Sequence, residues 1–99
     1  MSNSGPNYDA VFHAIGDPAR RKILRALKEK GACSIDRETG LCASDIEERI
    51  SLSQPTISHH MAILRKAGLV EATKLGQWVW YRRNETMLRK FAKALKKEI

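Results

Sequence analysis

No apolar run in these 99 residues approaches the roughly 20 needed to cross a bilayer, so a membrane-spanning helix is not expected. The opening Met1-Ser2-Asn3-Ser4-Gly5-Pro6-Asn7 lacks a basic stretch followed by an apolar one. It is read as a short flexible arm (residues 1–7) and not as a secretory leader, and a cytoplasmic location is expected. Cysteine is scarce: two are too few for the multi-bridge framework of a secreted miniprotein, and reduced thiols are the expectation. Internal repeats and low-complexity tracts are missing. So are the Gly-rich phosphate loop, the metal-hydrolase motif and the nucleophile elbow, and His13, His59 and His60 form no set with a plausible nucleophile. An enzyme is not expected. Acidic residues are also in short supply, with 11 Asp+Glu against 18 Lys+Arg and a net charge of +7.

What remains is a chain that is 42% hydrophobic, enough to fold around one small core as one domain over residues 8–99. The basic excess favours a polyanionic partner, nucleic acid before an anionic membrane, with a merely solvated basic surface as the bland alternative.

The most informative stretch is Ser53-Gln54-Pro55-Thr56-Ile57-Ser58-His59-His60-Met61-Ala62-Ile63-Leu64-Arg65-Lys66-Ala67-Gly68. Ser53 suits a helix N-cap, and Pro55 sits where its missing N–H costs little. Ile57, His60, Met61 and Leu64 recur at helical spacing, and Gly68 suits the left-handed stop. Thr56, Ser58, His59 and Lys66, with Arg65 at the edge, make a polar face. His60 falls on the apolar side and is read as a packed core histidine.

The neighbours give this helix a setting. Residues 8–15 form a first short helix stopped by Gly16. Asp17-Pro18 opens a second with Ile23, Leu24 and Leu27 as its stripe, ended by Gly31. Residues 31–43 are a loop. Ser44-Asp45-Ile46-Glu47 reads as a capping box that starts a short helix to about Ile50, and a tight turn then leads into the helix at residue 53. After Gly68 the period changes: residues 69–74 and 78–82 are β-rich runs around Gly76-Gln77, a hairpin signal. Asn84 caps a last helix striped with Met87, Leu88, Phe91, Leu95 and Ile99. The expected fold is mainly α with a two-stranded β wing: four helices, two strands and a fifth helix.

Four ordered blocks resemble the ArsR/SmtB family of bacterial transcriptional repressors, over residues ~8 to 99. They are Gly16-Asp17-Pro18-Ala19-Arg20-Arg21 with Ile23-Leu24, Leu52 through His60, Leu64-Arg65-Lys66-Ala67-Gly68-Leu69-Val70, and Gly76-Gln77-Trp78-Val79-Trp80-Tyr81. The resemblance implies a winged helix-turn-helix fold and a homodimeric repressor of double-stranded DNA with an imperfect palindromic operator, its first and last helices pairing between protomers. Apolar stripes on those two helices point the same way, with Val11, Phe12, Ile15, Met87, Leu88, Phe91 and Leu95 as the expected dimer contacts. Ser53, Gln54, Thr56, Ser58 and His59 are the expected readers of the major groove, because Gln pairs bidentately with adenine and hydroxyls adapt to several bases. Lys74, Gln77, Arg82 and Arg83, on or near the wing, are candidates for contacts to the DNA backbone or minor groove, with a solvated edge that resists strand pairing as the alternative, and Arg65 is a further expected DNA contact.

One common metal site in the family has two cysteines, one residue apart, at the start of the helix before the recognition helix. Here that stretch is Leu41-Cys42-Ala43-Ser44, with Ser44 where the second cysteine would stand. The family's other zinc site uses histidines and carboxylates on the last helix, which here holds no histidine. No metal and no cofactor are therefore expected. Cys33 and Cys42 flank the glycine-bearing loop and leave three readings open: a reversible disulfide, a thiophilic-ion site with an unidentified third ligand, or two inert thiols. Arg37 lies between them and would lower a thiol pKa if close. A winged-helix protein-interaction module without DNA binding is the competing class.

Overall fold

Short polar residues start the helices, and the computed structural model, which describes residues 8–31, 33–35, 37 and 39–99, shows how. The expected arm over residues 1–7 lies outside the described residues. Helix α1 (Asp9–Ile15) leads to α2 (Pro18–Ala26), strand β1 (Leu41–Cys42), α3 (Ala43–Ile50), α4 (Gln54–Lys66), β2 (Val70–Leu75), β3 (Trp78–Arg83) and α5 (Glu85–Glu98). No helix among the described residues is long and apolar enough to cross a membrane.

Asp17 caps α2: its Oδ1 accepts from the backbone N–H of Ala19 (2.7 Å) and Arg20 (3.3 Å). Asn84 Oδ1 does the same for Met87 at the start of α5 (3.1 Å). Such caps each contribute about 1 kcal/mol. At the end of α4 the Gly68 N–H bonds Arg65 O (2.9 Å) and the Leu69 N–H bonds Leu64 O (3.0 Å), the paired arrangement of a Schellman stop, with Gly68 at φ +79°.

Three expectations shift. Helix α2 ends at Ala26 rather than at Gly31, because the Lys28 and Glu29 N–H groups reach back only three residues, to Arg25 and Ala26, and tighten the last turn. Helix α3 is capped by Cys42 and Asp45, not by Ser44 and Glu47: Asp45 Oδ2 accepts the Cys42 N–H at 3.2 Å. Pairing of Cys42 with Trp80 fixes that residue as extended, so the sheet, and not serine's capping preference, decides where the helix starts. The wing is also part of a three-stranded sheet. Its antiparallel order is β1-β3-β2, with Leu41 opposite Tyr81 and Leu75 opposite Trp78 across the Gly76-Gln77 turn.

The core gathers Ile23, Leu24 and Leu27 from α2, Ile46 from α3, Ile57, Met61 and Leu64 from α4, and Leu41 and Leu69 from the segments between. Fully burying one such side chain is worth about 1.5–3 kcal/mol. Val11, expected at a dimer contact, is 2% exposed and belongs to this core, as does Phe91 at 6%. Ile99, expected on the α5 stripe, is left in water.

Gly40 is where sheet and loop come closest. It sits at φ +83°, and a Cβ there would lie 2.4 Å from Tyr81 O and 2.6 Å from Trp80 Nε1. Gly76, at φ +62°, has open space around it. Gly76→Ala is expected to cost about 1–2 kcal/mol from backbone strain alone. Gly40→Ala adds overpacking and should cost about 3–4 kcal/mol. Thermal melts of the two variants check this; equal losses would remove the steric argument.

Candidate nucleic-acid interface

Helix α4 separates its side chains cleanly. Ile57, His60, Met61 and Leu64 are buried, while Gln54, Thr56, Ser58, His59 and Arg65 are exposed along the other side with Ser53 at the cap. The Ser53 backbone starts the helix, its carbonyl accepting the Ile57 N–H at 2.9 Å. The Ser53 side chain does not cap it: Oγ lies 2.9 Å from Thr56 Oγ1 instead. The first turn thus presents a hydroxyl pair and backbone N–H groups at the positive end of the helix dipole.

The wing stands beside this face. Lys74 and Gln77 are exposed near its tip, as is Trp78 (41%). Arg82 pairs with Glu71 across the strands at 2.9 Å. Between α4 and β2 lies an open groove of about 460 Å³ lined by Ala62, Arg65, Lys66, Val70, Glu71 and Ala72. Sequence reasoning left Lys66 out of the candidate contacts, although its place beside Arg65 on the polar face was the available signal.

Arg83 is drawn away from the exposed edge of the wing. Its side chain is 16% exposed; Nη1 donates to Leu24 O (3.4 Å) and Nη2 to Glu85 Oε1 (3.2 Å). Nε lies 3.0 Å from Glu85 Oε2 without the angle for a hydrogen bond. Arg37 lies over the wing instead: its guanidinium is 5.1 Å from the Trp80 ring centroid, and the Trp80 indole N–H donates to Thr39 O at 3.0 Å. Loop and wing are joined there.

His60 is buried, as expected, but it is more than packing. Arg20, itself 6% exposed, puts Nη1 3.1 Å from His60 Nδ1, donates Nε to Ala14 O (2.7 Å) and Nη2 to His13 O (3.2 Å). Burial pushes the His60 pKa below its ordinary 6.5; Asp17 opposes this, and the charges of Arg20 and His59 add to it. The sequence signal for Arg20 was its spacing from Ile23, Leu24 and Leu27, which puts a charge on an apolar stripe.

Cys33 and Cys42 are both buried free thiols. Cys42 Sγ donates to Asp45 Oδ2 at 2.9 Å and lies within 3.3 and 3.4 Å of the Ser34 and Ser44 hydroxyls. Burial alone would raise the Asp45 pKa, but bonds from the Cys42 thiol, the Ser34 N–H and hydroxyl and the Cys42 N–H outweigh it and hold the carboxyl below 3.8. The Cys42 thiol is thus engaged as a donor inside the cap of α3. Among the described residues no group of three or more His, Cys, Asp or Glu is gathered as for a metal ion.

At the opposite end, Tyr8 and Phe12 meet Phe91 edge to face at 5.5 and 5.2 Å. Phe12 remains 48% exposed, and Ile15, Met87, Leu88 and Leu95 are half-buried against the core.

A family model described as bacterial regulatory protein, arsR family, matches residues 17–72. An HTH-type transcriptional regulator of Methanocaldococcus jannaschii is 44% identical over 71 residues, covering 72% of this chain and 71% of the relative. The transcriptional repressor SdpR of Bacillus subtilis is 41% identical over 78 residues, 79% of this chain and 77% of that protein. Among solved structures, an ArsR-like transcriptional regulator from Rhodococcus sp. RHA1 matches with TM-score 0.74 and 31% identity over 89% of this chain and 72% of that one. A homodimeric winged helix-turn-helix DNA-binding domain from Mycobacterium bovis matches with TM-score 0.67 and 26% identity, covering 90% and 75%.

Asp45→Asn removes the negative charge of the acceptor that organises the start of α3 and should cost about 1–2 kcal/mol near neutral pH. Because the folded carboxyl titrates below 3.8, its contribution is complete above that value and lost as pH falls beneath it. Denaturation followed from pH 7 to pH 2 should show the variant and the parent converging in acid; a constant gap would contradict the carboxylate's role.

Proposed function

The chain belongs to the arsR family of bacterial regulatory proteins, winged-helix transcription regulators and not enzymes, and on that premise we propose that it is a homodimeric, sequence-specific repressor of double-stranded DNA. One observation carries the reading: α4 exposes Gln54, Thr56, Ser58 and His59 together on a helix whose opposite side is locked in the core. In the major groove, Gln54 suits an adenine edge and the hydroxyls of Ser53, Thr56 and Ser58 suit bases or phosphate. Arg65 and Lys66 line the groove toward the wing, where a phosphate backbone fits between α4 and β2, and Lys74 and Gln77 reach the flanking DNA. Arg83 is assigned to holding the base of the wing instead.

Phe12, Ile15, Leu88 and Leu95 supply the dimer face around Phe91, by analogy with the homodimeric M. bovis domain. Two-fold symmetry then calls for an imperfect palindrome with half-sites about 34–36 Å apart. Repression follows the relative SdpR, and a DNA partner puts the protein in the cytoplasm.

A second reading concerns release. Cys42 caps α3 and faces Trp80 of the wing, so oxidation of Cys33 and Cys42 to a disulfide, with two electrons and two protons passing to a peroxide, would disturb both elements. The hydrogen bond to Asp45, which holds the Cys42 side chain in the cap of α3, opposes it.

Selection of duplexes from a randomised pool, followed by mobility shift, tests the main reading. Binding at ~10⁻⁸–10⁻¹¹ M and a steep loss with salt are expected. Gln54→Ala or His59→Ala should relax sequence preference, Lys74→Ala should weaken all sequences alike, and Arg83→Ala should lower the melting temperature more than the affinity. No shift with any duplex would favour a protein-interaction module. Peroxide should weaken binding about tenfold in the parent and not in Cys33→Ser; loss with arsenite or cadmium alone would point to a thiophilic ion, and indifference to all three to inert thiols.

A further inference from the structure

The best-connected polar group in the core is not explained by groove reading. Arg20 lies on the apolar stripe of α2, almost out of water, and reaches two other helices from there. Its Nε bonds the Ala14 carbonyl in the last turn of α1, and its Nη2 adds a second bond to the His13 carbonyl, which also accepts the Gly16 N–H. Its Nη1 meets His60 Nδ1, on the inner side of α4.

We propose that Arg20 is a positioning residue for the DNA-reading helix, tying the last turn of α1 to the ring of His60 so that the dimer-forming and DNA-reading helices keep one fixed relation, and only while that ring is neutral. The inference rests on the reading of α4 as the groove helix. Its chemistry follows from the donors. A guanidinium has only N–H donors and keeps its proton, so His60 Nδ1 must be the acceptor and the ring proton must sit on Nε2. Protonating Nδ1 would replace an acceptor with a second cation 3.1 Å from the first.

Helices α1, α2 and α3 and strand β2 all pack on α4, and the charged groups that bear on the ring are Asp17 at the cap of α2, Arg20 within it and His59 from α4 itself. Asp17 Oδ2, 3.9 Å from Arg20 Nη1, is the one countercharge among them. Burial and the charge of Arg20 together keep the ring uncharged down to a pH below 6.5, after which the link is lost.

The test uses the full chain and the duplex recovered by selection at pH 7.5, with dissociation constants measured at pH 7.5 and 5.5 at constant ionic strength. His60→Asn places an uncharged carbonyl oxygen where Nδ1 stands. The parent is expected to lose at least about tenfold in affinity relative to His60→Asn on acidification, His59 being common to both. Parallel pH profiles would overturn the proposal. Nitrogen-15 NMR of the imidazoles without DNA decides it independently: Nδ1 of His60 should be bare and Nε2 protonated at pH 7.5, and the opposite tautomer refutes the link even if His60→Asn fails to fold. Failure of the parent to bind any duplex would instead refute the groove-helix reading, leaving the NMR result to settle the tie itself.

Discussion

A guanidinium almost out of water needs a partner at each nitrogen, and the arrangement around Arg20 meets that need from three helices. A buried cation left unpaired costs several kcal/mol. Here two carbonyls, an imidazole nitrogen and a more distant carboxylate share it. The requirement is geometric as well as energetic. The end of α1, the start of α2 and the middle of α4 must converge at one point, which apolar packing among Ile23, Met61 and Leu64 would allow but not demand. The three helices therefore have one relative placement, and α4 shows the solvent one set of side chains.

The wing half depends on backbone pairing instead. Strand β1 is only two residues long, yet it lies beside β3 and runs straight into α3. The indole of Trp80 bonds Thr39, Arg37 lies over its face, and Gly40 lets the chains approach. Cys42 and Asp45 close the junction from the other side. The two helices of the helix-turn-helix pair are thus held by different means: α4 from beneath by a polar link in the core, and α3 from its start by the sheet.

Local chemistry in the sequence pointed to much of this. Asp17-Pro18, Asn84, Gly68 and the Gly76-Gln77 turn act within a few residues of themselves, and each does in the structure what its type suggests. Periodicity placed Ile57, Met61 and Leu64 inside for the same reason. Where the outcome depends on a partner far along the chain, sequence reasoning had nothing to weigh. Leu41-Cys42 is too short to show a strand period, and its partners are about forty residues away. Ser44 is as good a cap as any serine until the pairing of Cys42 moves the helix start. Arg83 looks like a basic wing residue, and only the fold brings Leu24 and Glu85 to it. Arg20 was visible as a cation on an apolar stripe, but the groups that justify it come from two other helices.

The short pairing of β1 with β3 also bears on how such a chain can diversify. The two residues of β1 set the register of everything after them, whatever the path taken from the end of α2. Lengthening that connection costs only the slow logarithmic penalty of closing a larger loop, about 0.6 kcal/mol for each doubling. Added length can therefore accumulate in that connection while the contacts of Ser34, Arg37 and Thr39 and the pairing of Leu41 and Cys42 stay in place. Length is cheap there, although the loop ends against both the wing and the helix that precedes the DNA-reading one.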